Sequence, residues 1–357
     1  MRLFRIKILL FLFVLTFINT SCDKFLLPKD PPDNPIENFN TLWKEYDAHY
    51  SYFIYKKVNW DSLYSVYRPQ ITENTNNDRL FTVMAHMLSN LKDGHVYLKS
   101  PFQIYTYDDW YENYVDHFNL TVIEENYFKN NYKIAPTRKM LYGQLTPEIG
   151  YIYIITFGGT GWTSELDPIL KNLHDTNGLI IDIRDNFGGN DYTMLSAADH
   201  FTDQKRLFRY IRYRNGPKHD DFTAPIKGYI KPSGKTRYTG NIVVLTNRGV
   251  FSAAESFVLA MNTLPYVTTI GDTTGGGTAN PIDRELPNGW TYSISTWIET
   301  SLNGIVHEGI GIPPKIPVKW GKTDLSSSKD LTLETAINYL TRIIHDNKID
   351  NTYNIVN

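Results

Sequence analysis

The residue whose setting best suits covalent chemistry is Ser252. Residues 241–261 have the sequence NIVVLTNRGVFSAAESFVLAM, a pattern typical of a buried strand, a turn containing glycine and an apolar helix. Ser252 is thereby predicted at a helix N-terminus, where free amides and the helix dipole stabilise negative charge on oxygen. The same position suits a helix cap, because Ser252 and Glu255 have the spacing of a capping box in which Glu255 reaches back to the cap. The segment alone leaves a nucleophile and a cap open.

Four other segments carry acid-base residues or closely spaced glycines. They are Lys92-Asp93-Gly94-His95, residues 178–189 (GLIIDIRDNFGG), residues 270–277 (IGDTTGGG) and residues 308–314 (EGIGIPP). Together with residues 251–255, these five blocks resemble the tail-specific, or C-terminal processing, serine peptidases, and within them the tricorn-core type. Each block is weak alone, whereas their joint order between Lys92 and Pro317 is specific.

The resemblance implies a catalytic group of three side chains. Ser252 would be the nucleophile and His95 the general base, because a serine hydroxyl is a poor nucleophile at neutral pH. Glu308 would orient the imidazole and stabilise its charge, directly or through another group. Taken singly, His95 suits a structural histidine and Glu308 a solvated loop acid, and only their occurrence together with Ser252 favours catalysis.

Backbone positions in the same blocks refine what the resemblance implies. The amides of Gly189, or Gly188, and of Ala253 would form the oxyanion hole. Gly277 stands where part of the family has the lysine of a Ser-Lys dyad, so the Ser-His-Glu type is implied. Gly94 stands where a helper residue, often serine, precedes the histidine, which leaves that auxiliary role without a side chain.

Other classes of function find little support. The formal net charge is −2, which argues against a nucleic-acid partner. The turn at 275–277 lacks the Gly-Lys-Ser/Thr ending of a phosphate loop, and no His-Glu-x-x-His motif or cysteine cluster occurs. The sequence therefore predicts no metal and no cofactor. Asp182 and Arg184, near the end of a predicted strand, are expected to have structural roles.

The N-terminus has the features of an export signal. Basic residues precede an apolar run at 8–18, which is too short to span a membrane as a helix. Cys22 is the only cysteine of the chain and follows Ser21 at the end of this region. It resembles the lipidated cysteine of a bacterial lipobox, although Asn19 stands where an apolar residue is usual. The resemblance implies a protein anchored by lipid at the bacterial cell envelope, with ordinary secretion as the alternative.

The elements that must position these residues fall into successive segments. Strand-like runs at 151–157, 179–183 and 242–246 alternate with helical patterns, which predicts βαβ units. With the family resemblance, this indicates a mixed α/β fold with a ClpP/crotonase-like βα core and an N-terminal helical domain. The interval between His95 and Gly150 is short of the roughly 100 residues of a typical domain, so no full PDZ module is expected. The predicted organisation is a lipoprotein signal peptide at 1–22, a proline-rich tether at 23–38, a helical domain at 39–100, a mixed connecting segment at 101–148 and a peptidase core at 149–347.

The combined prediction is an exported serine peptidase that cleaves peptide or unfolded protein substrates through an acyl-enzyme. The alternative is a non-catalytic relative, a surface or periplasmic protein that uses the same cleft to bind peptide or glycan. The joint presence of Ser252, His95 and Glu308 favours the enzyme. The sequence sets neither the cleavage preference nor the oligomeric state.

Overall fold

The computed structural model describes residues 31–112, 114–115, 117–320 and 328–356. The predicted signal peptide with Cys22, and the first part of the tether, lie outside the described residues. Within the ranges described, no helix has the length and apolar character needed to cross a membrane.

Short helices form the first part of the described chain, and strands alternate with helices after residue 140. The helices are α1 (Pro35–His49), α2 (Phe53–Lys56), α3 (Trp60–Tyr67), α4 (Asn77–Ser89), α5 (Asp109–Glu112), α6 (Leu120–Val122), α7 (Leu166–Asn172), α8 (Asp191–Ala198), α9 (Ala253–Met261) and α10 (Leu331–Val356). The strands are β1 (Tyr97–Lys99), β2 (Ile104–Thr106), β3 (Lys133–Ile134), β4 (Met140–Thr146), β5 (Ile149–Ile154), β6 (Gly178–Asp182), β7 (Arg206–Tyr213), β8 (Ile226–Ile230), β9 (Asn241–Thr246), β10 (Val267–Gly271), β11 (Pro281–Glu285), β12 (Thr291–Ser295), β13 (Trp297–Thr300) and β14 (Ile316–Pro317).

The first helix begins inside the segment predicted as a tether. The side chain of Asn34 accepts a hydrogen bond from the amide of Glu37, and Pro35 occupies the first turn. Both features favour helix initiation, because the cap satisfies a free amide and proline has a helical φ already. The last four residues of the predicted tether at 23–38 are therefore helical.

A four-stranded antiparallel sheet completes the helical unit, and two of its strands come from much later in the chain. Its order is β11-β12-β1-β2, with Leu98 opposite Tyr292. Both residues are buried in the apolar core formed by α1 to α4. Residues 281–295 thus pack in the helical unit, although the sequence pattern assigned them to the peptidase core at 149–347.

The central sheet has seven strands in the order β14-β10-β9-β6-β5-β4-β3. Strands β14 to β5 are parallel, and β4 and β3 are antiparallel. Every residue of β5 and β6 is buried, as expected for strands with both faces covered. Helices α7, α8 and α9 pack on one face and α10 on the other. The predicted mixed α/β fold is confirmed.

Two loops at the carboxyl ends of parallel strands meet at one edge of this sheet. One follows β6 and contains residues 183–190, and the other follows β9 and leads to Ser252. Ligand sites in α/β sheets form at this edge. Arg184 is buried and bonds to Asp182 at 2.6 Å and to Asp330 at 2.8 Å, which ties the first loop to the start of α10.

Candidate active site

Ser252 lies on a sharp turn between β9 and α9. Its backbone has φ 58° and ψ −127°, a conformation that costs a residue with a side chain about 1–3 kcal/mol. A strained strand-to-helix turn of this kind exposes the nucleophile of many serine hydrolases. The amide of Ser252 donates to the carbonyl of Gly277 at 2.9 Å, and that of Phe251 donates to Asn186 at 3.1 Å. Neighbouring loops therefore hold the turn in its strained form.

The capping-box interpretation of Ser252 and Glu255 is wrong. A capping side chain needs an extended backbone at the cap, and the positive φ of Ser252 prevents it, so its side chain makes no cap hydrogen bond. The carboxylate of Glu255 instead accepts from the Thr274 hydroxyl at 2.5 Å and from the amides of Gly276 and Gly277 at 2.9 and 2.5 Å. Burial raises the pKa of Glu255 to about 7. Glu255 thus fastens the glycine-rich turn beside Ser252.

Of the two glycines predicted for the oxyanion hole, Gly188 lies directly against the nucleophile turn and Gly189 against the loop after β5. A Cβ atom at Gly188 would be 2.7 Å from the Cβ of Ser252 and 2.8 Å from the amide of Ala253, and one at Gly189 would be 2.2 Å from the amide of Gly158. Only glycine allows this approach. Gly189, Ser252 and Ala253 line a common cavity of about 170 Å³. Within the described turns and loops, the amides of Gly189 and Ala253 donate to no other backbone group, so both are available to an oxyanion.

His95 follows α4 on a turn organised by Asp93. One carboxylate oxygen of Asp93 accepts from the backbone amide of His95 at 2.9 Å and lies 4.0 Å from its Nδ1. The other oxygen accepts from the hydroxyls of Tyr50 and Ser295. Burial alone would raise the pKa of Asp93, but Lys56, His95 and these hydrogen bonds hold it below its ordinary value. Among the described residues, Asp93 supplies the carboxylate within 4.0 Å of the imidazole, a role that the sequence reasoning did not assign to it.

An aromatic stack covers the imidazole of His95. The ring centroid of Phe251 is 4.6 Å from that of His95, and Trp110 stacks on Phe251 at 4.3 Å. The His95 side chain is 8% exposed, and neither ring nitrogen has a hydrogen-bond partner among the described residues. Burial lowers its pKa to about 4, against the opposing effect of Asp93. The imidazole is therefore neutral at pH 7, the form that accepts a proton, and it is not yet hydrogen-bonded to Ser252.

The same two aromatic rings occupy the space above two glycines that the sequence singled out. A Cβ at Gly277 would lie 2.0 Å from the ring of Phe251. A lysine side chain at this position would have to displace that ring. A Cβ at Gly94 would lie 2.8 Å from Nε1 of Trp110, so the indole takes the place of a helper side chain.

Glu308 lies in the same region but is paired with Lys56. One carboxylate oxygen accepts from Nζ of Lys56 at 2.8 Å and the other from the amide of Thr278 at 3.0 Å. Burial, reinforced by the charge of Asp93, raises the pKa of Glu308 to about 8. Burial would lower the pKa of Lys56, but Asp93 and Glu308 raise it above its ordinary value. Lys56 is therefore a cation rather than a base, and no sequence motif had indicated it.

The polar groups of the glycine-rich turn are engaged within the protein. The amides of Gly276 and Gly277 bond to Glu255, which leaves neither for a phosphate group. In the part of the chain that the structure describes, no three His, Cys, Asp or Glu side chains are placed to hold a metal ion.

Comparison with known proteins identifies relatives for both parts of the described chain. The model of Peptidase family S41 matches residues 148–318, and the model of the Tricorn protease C1 domain matches residues 31–89. The chain is 28% identical over 166 residues to the carboxy-terminal processing protease CtpA of Bacillus subtilis (strain 168), covering 45% of this chain and 34% of that protease. It is 25% identical over 211 residues to the Tricorn protease of Thermoplasma acidophilum, covering 58% of this chain and 18% of that protease. These matches span about a third and a fifth of the two proteases.

A solved structure extends the similarity to nearly a whole chain. The crystal structure of a candidate peptidase from Parabacteroides merdae ATCC 43184 has a TM-score of 0.79 and 37% identity, covering 87% of this chain and 97% of that one. The resemblance to C-terminal processing and tricorn-type serine peptidases is thereby confirmed, and the chain belongs to peptidase family S41.

Proposed function

We propose that this chain is a serine peptidase that cleaves peptides or unfolded proteins with Ser252 as the nucleophile. The observation that carries the proposal is the strained turn that presents Ser252 beside the amides of Gly189 and Ala253, which donate to no backbone group within the described turns and loops. A carbonyl oxygen that gains negative charge in this cavity would accept hydrogen bonds from both amides. In serine hydrolases, removing one such donor costs about 10²–10³ in kcat.

The proton would move through His95. As the Ser252 hydroxyl oxygen attacks the carbonyl carbon of the scissile bond, the neutral imidazole takes its proton, and the resulting imidazolium then protonates the leaving amine. A water molecule, deprotonated by the same imidazole, then attacks the acyl carbon; the bond to the Ser252 oxygen breaks, that oxygen takes the proton back from the imidazolium, and the new acid leaves as a carboxylate and a proton released to solvent. Catalytic hydrogen bonds often tighten only when substrate binds. An imidazole without a hydrogen-bond partner among the described residues is therefore compatible with this role.

The acid of the mechanism is better placed in Asp93 than in Glu308. The sequence assigned this role to Glu308, whose carboxylate is occupied by Lys56 and the amide of Thr278. Asp93 is held ionised 4.0 Å from Nδ1 of His95. In this proposal Asp93 stabilises the imidazolium, and Glu308 holds Lys56 at the edge of the site.

Labelling with a fluorophosphonate probe tests the nucleophile. Wild-type protein should be labelled covalently, and Ser252→Ala should lose the label. Ser196→Ala is the matched control, since Ser196 lies on a helix of the same layer and bonds to Thr163 rather than to the site. Absence of label on folded wild type, under conditions that label other serine hydrolases, would favour the non-catalytic binding protein.

We also propose that the chain is exported and held at the bacterial cell envelope by a lipid on Cys22. The basic start, the apolar run at 8–18 and the single cysteine support this proposal. Cys22→Ser should move the protein from the membrane fraction to the soluble fraction, while Ser21→Ala should leave it at the membrane. Equal partition of the cysteine variant and wild type would contradict lipidation.

A further inference from the structure

The cavity of about 170 Å³ beside Ser252 is placed to receive part of a substrate. Its wall includes Ser252, Gly189 and Ala253, and also Ser256, one turn further along α9. In the proposed reaction, a scissile carbonyl carbon at Ser252 with its oxygen at the two amides would bring the side chain nearest that carbonyl to this space. A cavity of about 150 Å³ holds a molecule the size of benzene. The space therefore admits one side chain of moderate length.

A buried cluster with unequal charges lies behind this wall. The guanidinium of Arg209 donates to Asp191 at 2.5 Å and to Glu299 at 2.7 Å. One cation thus faces two carboxyl groups, and burial raises the pKa of Glu299 above its ordinary value. Arg209 and Glu299 are nearly inaccessible to solvent, and the second carboxylate oxygen of Glu299 has no partner among the described residues. A buried acceptor without a partner favours an additional hydrogen-bond donor.

Two residues connect this cluster to the cavity. Asp191 is part of the cavity wall and its side chain is 29% exposed. Ser256, also in the wall, donates to Glu299 at 2.7 Å and accepts from Arg209. Asp191 is the charged member of the described lining, and both Nη atoms of Arg209 are engaged. The cavity wall therefore carries one carboxylate, that of Asp191, of which one oxygen is bonded to Arg209.

We propose that this cavity selects substrates with lysine immediately before the scissile bond. The ammonium group supplies three hydrogen-bond donors and a positive charge on a narrow, flexible chain, which fits a cavity of this size with one carboxylate in its wall. A glutamate side chain would be repelled. The inference rests on the proposed role of Ser252 as the nucleophile.

The first test is a pair of quenched fluorescent peptides that differ at this one position. A digest of an unfolded protein, with its cleavage sites mapped by mass spectrometry, supplies the flanking sequence. We expect kcat/KM for the lysine peptide to exceed that for the norleucine peptide, whose side chain has the same four carbons without the ammonium group, by about tenfold, since hydrogen bonds to charged groups are the stronger ones. Equal or faster cleavage of the norleucine peptide would overturn the inference and leave the proposed nucleophile intact.

The second test removes the charge that faces the cavity. Asp191→Asn should bring the lysine-to-norleucine ratio of kcat/KM close to one, because a neutral amide replaces the carboxylate in the cavity wall. Asp203→Asn is the matched control, because Asp203 pairs with Arg206 away from the cavity. A lysine preference that survives in Asp191→Asn would overturn the assignment.

Binding separates this inference from the proposed function. In Ser252→Ala, a peptide ending in lysine should bind about tenfold more tightly than one ending in norleucine, measured by calorimetry. Equal binding overturns the inference whether or not the wild type is active. If wild type is neither labelled by the probe nor cleaves peptides, the proposed function fails. The binding comparison then tests the lysine preference of the cavity by itself.

Discussion

The two halves of the candidate site are built in different ways. The nucleophile half is largely local, since one strand, one turn and one helix present Ser252 against Gly188 of the loop after β6. The histidine half joins distant segments, because His95 rests on Asp93 and lies beneath Phe251 and Trp110. The first half has its oxyanion donors in place, whereas the second keeps a neutral imidazole out of contact with solvent. The groups that would bind the oxyanion therefore belong to the core, whereas the environment of the base depends on contacts between distant segments.

The largest effect is expected in the nucleophile half. Ser252→Ala should lower kcat by at least about 10⁴-fold, as for loss of a serine nucleophile elsewhere. Because its hydroxyl caps no helix, the free energy of unfolding in urea should change by less than about 0.5 kcal/mol. Ser252→Gly should be more stable than wild type by about 1 kcal/mol, since glycine relieves the strain of the positive φ. A decrease of more than about 1 kcal/mol in the free energy of unfolding of the alanine variant would mean that the Ser252 hydroxyl caps the helix.

The next effect distinguishes the two acids of the histidine half, Asp93 and Glu308. Asp93→Asn should lower kcat by about 10²–10⁴-fold, because an amide cannot stabilise the imidazolium. Glu308→Gln should lower kcat by less than about tenfold, since its partner is Lys56. Active-site titration with the fluorophosphonate corrects both values for misfolded protein. The opposite order would return the role of the acid to Glu308, as the sequence predicted.

The same contrast explains what the sequence could predict. The strands and the turn at Ser252 follow from apolar runs and glycines within a few residues of each other, which is the range over which sequence patterns act. The capping box failed because the sign of φ at Ser252 is set by bonds to other loops. Lys56 and Trp110 lie far from their partners along the chain, so no local spacing points to them. Asp93 was within reach, two residues before His95.

A third effect concerns the turn that joins the two halves. Glu255→Gln should lower the free energy of unfolding in urea by about 1–3 kcal/mol. Glutamine has one acceptor oxygen, and its NH₂ group would face a backbone amide that now donates to the carboxylate of Glu255. Glu165→Gln is the matched control, because Glu165 also accepts from an amide and a hydroxyl, both of Thr137, but at the surface. Equal decreases in the free energy of unfolding of the two variants would show that Glu255 stabilises the protein no more than a surface glutamate does.

The smallest effect tests whether the aromatic cover sets the behaviour of the base. Catalysis needs neutral imidazole, so kcat/KM of wild type should fall as the pH drops through about 4, the pKa of buried His95. Trp110→Ala should admit water to the imidazole, and its pKa should rise toward the ordinary value of about 6.5. The acid limb of kcat/KM should then move to higher pH.

Trp320→Ala is the control for this profile. Trp320 stacks on His117 at 4.9 Å, a different histidine, so its removal deletes an equally large ring without uncovering His95. The acid limb of this variant should stay where wild type has it. An unshifted limb in Trp110→Ala would mean that the aromatic cover does not set the pKa of the base. A shift only in Trp110→Ala would show that contact between the connecting segment and the core sets the pKa of the base.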